Sequence, residues 1–133
     1  MFLDPTPKSA IWTTQWKTWL NDVWGWITGT KWYTPTLLNG WVNYSSTYAP
    51  ARYRKINGMV EIQGLIKDGT ATSGTDLFTL PVGFRPQYQH IFTTMSNSAI
   101  ARVDVKTDGT IDILNGGSSN WISLSGIMFK AEQ

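Results

Sequence analysis

The dipeptide Asn57-Gly58, set between RYRKI and MVEIQ, constrains this chain more than any other feature. A type I′ turn needs two successive residues at positive φ, which Asn-Gly accepts with little strain, and its twist matches that of the strands it joins. Counting outward predicts the pairs Ile56 with Met59, Lys55 with Val60, Arg54 with Glu61, and Tyr53 with Ile62. Tyr53, Val60 and Ile62 then share one face, and Arg54 meets Glu61 on the other. The basic run Arg52, Arg54, Lys55 is thereby explained by strand pairing rather than by an anion site.

A second hairpin is written in ARVDVKTDGTIDIL. Val103, Val105, Ile111 and Ile113 alternate with Arg102, Asp104, Lys106, Thr110 and Asp112, which predicts one dry and one wet face. Placing all four apolar residues on one side requires Val105 opposite Ile111. Thr107-Asp108-Gly109 is then a three-residue loop with Gly109 at positive φ. Further strands are expected at Leu37 to Tyr44 (with Trp41 in the core), Asp76 to Leu80, His90 to Met95, and Trp121 to Phe129. Asp68-Gly69, Ser73-Gly74 and Gly116-Gly117 punctuate them, and Asp68, Asp76 and Asp108 read as turn residues. Short strands at a spacing of about 8 to 12 residues predict an all-β, antiparallel sandwich, jelly roll or barrel.

The N-terminal quarter differs. In SAIWTTQWKTWLNDVWGWIT, residues 9 to 28, Trp12, Trp16, Trp19, Val23 and Trp26 recur at alternating spacings of four and three, a heptad seam that predicts a short Trp-rich α-helix. Ser9 is its expected N-cap, and Gly29 with Thr30 its stop. The expected organisation is an N-terminal segment over residues 1–34 and a β head domain over residues 35–133. Ile11, Leu20, Trp24 and Ile27 widen the apolar face beyond one stripe. Three fates fit such a face: packing on its own β domain, bundling with copies of itself, or lying on a membrane surface. Bundling is the expectation, and the breadth of the face suits three helices better than two. The polar face holds too few cations for strong attraction to anionic lipid.

Composition removes several function classes. A formal charge of +2 is too small to neutralise a phosphate backbone, so nucleic acid is not an expected partner. The absence of cysteine rules out disulfides and thiolate metal sites. Residues 11–27 contain Gln15, Lys17, Asn21 and Asp22, so membrane insertion is not expected, and Asp4, Pro5 and Pro7 interrupt any signal-peptide pattern. His90 is the only histidine, and no nucleophile elbow accompanies it. Glu61 and Glu132 are the only glutamates and the aspartates lie mostly at turns, which argues against the carboxylate pair of a glycoside hydrolase. Asp104, Asp108 and Asp112 lie on a hairpin without the spacing of a calcium loop. The chain is therefore expected to have no catalytic residues, no metal and no cofactor.

What remains abundant is aromatic: eight Trp, five Tyr and five Phe against 15% charged residues. Tyr44, Tyr48, Tyr88 and Trp121 fall in or beside expected loops, where planar rings can stack on the apolar faces of sugars. His90 joins them as a candidate contact. For each one, packing in a core or a subunit interface is the competing role.

The runs LLNGWVNY (37–44), ARYRKINGMVEIQGLIKDGT (51–70), LFTLPVGFRP (77–86) and WISLSGIMF (121–129) resemble the C-terminal receptor-binding head domains of tail-fibre and baseplate proteins from phages of Gram-positive bacteria. The similarity spans about residues 35 to 130 and rests on the ordered series NGW, RYRK, the glycine of EIQG, and LPxGxRP. The Trp-rich helix stands outside it. The resemblance implies a homotrimeric head that binds host cell-wall polysaccharide without catalysis, joined to other virion tail proteins at the tail tip and assembled in the host cytoplasm. Two alternatives stay open: a monomeric carbohydrate-binding module of a cell-wall hydrolase, and a purely structural virion subunit.

Overall fold

The computed structural model describes residues 10–28 and 31–133, and within the helix the side chains of residues 16–25 and 28. Helix α1 (Ala10–Thr28) is followed by ten strands: β1 (Val42–Asn43), β2 (Arg52–Ile56), β3 (Met59–Gln63), β4 (Leu65–Lys67), β5 (Thr75–Thr79), β6 (His90–Ser96), β7 (Ala99–Val105), β8 (Thr110–Asn115), β9 (Ile122–Ser123) and β10 (Ile127–Lys130). Seven form a curled sheet in the order β1-β4-β9-β6-β7-β8-β5, and β10-β3-β2 form a second, smaller sheet. All the pairings are antiparallel.

The β2–β3 hairpin has the expected register, from Ile56 opposite Met59 to Tyr53 opposite Ile62. Asn57 and Gly58 take φ of 50° and 80°. Val60 and Ile62 are fully buried, and on the other face Arg54 binds Glu61 at 2.8 Å. The β7–β8 hairpin likewise sets Val105 opposite Ile111, and Gly109 closes its loop at φ 88°. Val103, Val105, Ile111 and Ile113 all point into the core.

The other face of that hairpin is only partly wet: Arg102 and Lys106 reach solvent, but Asp104 and Asp112, contrary to expectation, are 0% exposed. A buried carboxylate is tolerable only when paired. Arg102 grips Asp104 through Nε and Nη2, both at 2.8 Å, and Gln89 donates a third bond at 2.6 Å. Lys106 lies 2.7 Å from Asp112. The hydrogen bonds from Arg102 hold the Asp104 carboxyl below its usual range, with Gln89 adding to the effect. Asp108, held down chiefly by the backbone N–H of Thr110, acts in the same direction. Because its folded pKa is depressed, Asp104 contributes stability that is present above about pH 4, the unfolded value, and is lost as pH falls through the lower folded value. Urea midpoints are therefore expected to hold from pH 7 to about 5 and to fall below about 4. Asp104→Asn should flatten part of that fall. An unchanged acid limb in the variant would remove Asp104 from the explanation.

Three further expectations needed correction. Leu37 to Tyr44 shrinks to β1, because Asn39 (φ 53°) and Gly40 (φ 81°) turn the chain before it. Trp41 is nonetheless core, 3% exposed, with its indole laid over the Cα of Gly69, where any side chain would overlap it. Asp76 belongs to β5 rather than to a turn. Trp121 to Phe129 is two strands in different sheets, because Gly126 (φ 95°) redirects the chain between β9 and β10. The chain also changes sheets at Gly64 (φ 143°), between β3 and β4. The two crossings are tied together: Leu124 N–H donates to the Gly64 carbonyl at 2.7 Å, and Gly64 N–H donates to Ser125 Oγ at 3.2 Å.

Helix α1 approaches β2 but leaves Trp19, Leu20 and Trp24 exposed, Trp24 by 66%. Trp16 and Trp19, one turn apart, stack at 5.3 Å. The side chains of Trp12 and Trp26, the expected Ser9 cap and the Gly29-Thr30 stop lie outside the described residues. After the helix, Lys31 reaches back to Asp22 at 3.0 Å, and Trp32 carries the guanidinium groups of Arg52 and Arg54 on its ring at 4.2 and 4.3 Å. Tyr33 exchanges two backbone hydrogen bonds with Tyr53. This contact fastens the exit of the helix to β2. Among the described residues no helix is long and apolar enough to cross a membrane.

Candidate functional site

Where the chain crosses between sheets, the surface is concave. A pocket of about 400 Å³ opens there, within the range typical of small-molecule sites. Its floor is Gly64, Leu65, Ser123 and Ser125, and its walls carry Tyr44, Tyr48, Met95 and Trp121. Three of the five aromatic candidates from the sequence thus meet in one place.

Each wall is held by a local hydrogen bond. Tyr44 follows β1, and its N–H donates to the Leu65 carbonyl at 2.9 Å. Asn43 Oδ1 accepts the N–H of Ala51 at 2.8 Å, closing the loop that carries Tyr48. The two tyrosine rings meet edge to face at 5.5 Å, a favoured aromatic geometry. Trp121 is positioned by Ser96, whose buried hydroxyl donates to the Trp121 carbonyl at 2.8 Å and accepts the N–H of Ser118 at 2.8 Å. Thr94 Oγ1 anchors the Ser123 carbonyl at 2.6 Å. Met95 faces outward on β6, opposite Ile100.

Among the described residues the lining holds no carboxylate, guanidinium, ammonium or imidazole group. The neighbouring cation is Lys67, with Nζ 5.6 Å from the centre of the Tyr44 ring and 3.7 Å from Asp68. The pocket therefore offers aromatic faces, a thioether and hydroxyls. Such a surface can bind by stacking and neutral hydrogen bonds. Among the described residues no three potential metal ligands cluster.

The other two candidates lie elsewhere. Tyr88 is 70% exposed, before β6. His90, at the start of β6, stacks against the buried Phe129 at 6.1 Å. Of the other lining residues, Met95 and Leu65 were not singled out in the sequence; both sit in strands, and only the fold shows which of their faces looks outward. A second concavity, between Pro35, Leu38, Tyr53, Leu80 and Arg85, lies along the edge of β5. Arg85 there donates from Nε to the Leu80 carbonyl at 2.9 Å, a structural use.

No family model matches the sequence, and no curated protein matches it. Among solved structures, the chain is similar to the receptor binding protein (gp15) of Listeria phage PSA, with a TM-score of 0.63 and 20% sequence identity. The match covers 96% of this chain and 83% of that one. The fold is therefore shared along nearly the whole length.

Proposed function

We propose that this chain is a phage receptor-binding protein that attaches the tail tip to a saccharide of the host cell wall and performs no catalysis. The observation that carries the reading is the aromatic pocket, built on a fold shared with a protein named for receptor binding. A neutral aromatic lining without charged side chains among its described residues suits adhesion. Its partners in this reading are copies of itself, other virion tail proteins and host polysaccharide.

The proposed assembly is a homotrimer joined through α1, with Trp12, Trp16, Trp19, Val23 and Trp26 forming the seam. The exposed Trp19, Leu20 and Trp24 support it, since a large apolar surface on a soluble chain marks an interaction site. Several heads on one particle would make weak single sites effective through avidity. One observation favours a second reading, the monomeric carbohydrate-binding module: α1 lies beside β2 of its own chain.

Light scattering separates the two. The expected mass is three times 15.0 kDa, independent of concentration, and the double variant Trp16→Ser, Trp19→Ser should fall to one chain. A monomeric parent would favour the module. Retention of the fluorescently labelled protein on host cell walls is the companion test; no retention on any susceptible strain would refute adhesion.

A further inference from the structure

We infer that the pocket selects an uncharged pyranose, such as a neutral hexose or N-acetylhexosamine, and rejects phosphate- and carboxylate-bearing units of the same wall polymers. This rests on the saccharide reading above and narrows it. An anionic ligand entering the cavity would shed water and find no cation among the described lining residues to replace it. Unpaired charge is among the most costly groups to bury. Lys67 stands outside the lining, its ammonium 5.6 Å from the centre of the Tyr44 ring and 3.7 Å from an Asp68 carboxylate oxygen that already offsets its charge.

What the pocket does supply matches a neutral ring. Trp121 and Tyr44 offer flat faces for the C–H side of a pyranose. Ser123 and Ser125 offer hydroxyls on the floor; each also accepts a backbone N–H, at 3.3 and 3.2 Å, which fixes its position. Met95 and Leu65 add apolar surface that suits a deoxy or N-acetyl methyl group. Stacking and neutral hydrogen bonds are insensitive to ionic strength, whereas attraction of an anionic polymer to a basic chain is screened by salt.

The test uses the full chain and wall polysaccharides from Gram-positive bacteria, each separated by anion exchange into neutral and anionic fractions. Binding is expected in the neutral fraction, with a Kd unchanged between about 0.05 and 0.5 M NaCl. Trp121→Ala should weaken it by about tenfold or more. Tyr48→Ala, in an exposed loop, should weaken it without touching the core. Trp32→Ala, at the Arg52–Arg54 contact, should leave it unchanged. Binding confined to the anionic fraction and lost in salt would overturn the selectivity while leaving the receptor reading intact. Neutral binding that survives both pocket variants would overturn the pocket. No binding to either fraction would overturn the saccharide reading itself.

Discussion

Replacing Gly64 by alanine is expected to destabilise the protein by about 2 to 6 kcal/mol, the sum of backbone strain and overpacking. Gly64 has φ of +143°, a conformation that residues with a side chain rarely adopt. A Cβ built there would lie 2.6 Å from the Cα of Ala51 and 2.8 Å from its nitrogen. Both are backbone atoms, so no rotamer change relieves the clash. The strand crossing itself must move. Because Gly64 also forms the pocket floor beside Ser125, the loss of stability should be accompanied by weaker ligand binding in whatever fraction still folds. Urea titration of Gly64→Ala against the parent measures the first effect, and a midpoint within error of the parent would show that the crossing tolerates a side chain. Gly74, at φ +84° with open space around its Cβ position, is the control. Its alanine variant should show strain alone, about 1 to 3 kcal/mol.

Phe78→Ala is expected to cost about 3 to 5 kcal/mol, the usual range for truncating a fully buried phenylalanine. Phe78 is 0% exposed on β5, and its neighbour Leu77 is equally buried. Adjacent residues of a regular strand face opposite ways. Both turn inward here because the β5–β8 register shifts between Asp76 and Phe78. Since a domain is stable by only about 5 to 15 kcal/mol, this one cavity consumes about a fifth or more of the margin. The same titration applied to Val82→Ala, at an exposed position, should give a change within about 0.5 kcal/mol. Comparable losses at both sites would mean that Phe78 is not part of the continuous core.

The hairpins were legible because their information is local. Asn57-Gly58 and Gly109 dictate turn geometry over a few residues, and alternation then assigns the faces of Val60, Ile62, Val103 and Ile113. The same turn chemistry at Asn39-Gly40 shortens the first expected strand, and that signal too is local. The burial of Asp104 and Asp112 was of another kind. Alternation marks a residue as off the core face but does not reveal that Arg102, Lys106 and Gln89 will close over it.

The pocket divides in the same way. Tyr44, Tyr48 and Trp121 could be picked out as aromatics beside loops, with Tyr88 and His90 equally eligible. The sequence by itself determined the all-β character, the two hairpins with their registers and the Trp-rich helix, since each follows from spacing or turn residues. Only the tertiary structure decided that the chain changes sheets at Gly64 and Gly126, and that these crossings lie side by side. Tyr44 and Trp121, 77 positions apart in the chain, meet because β4 pairs with β9 and Leu124 binds Gly64. Pairing between distant strands is set by the burial of the whole core rather than by any local pattern.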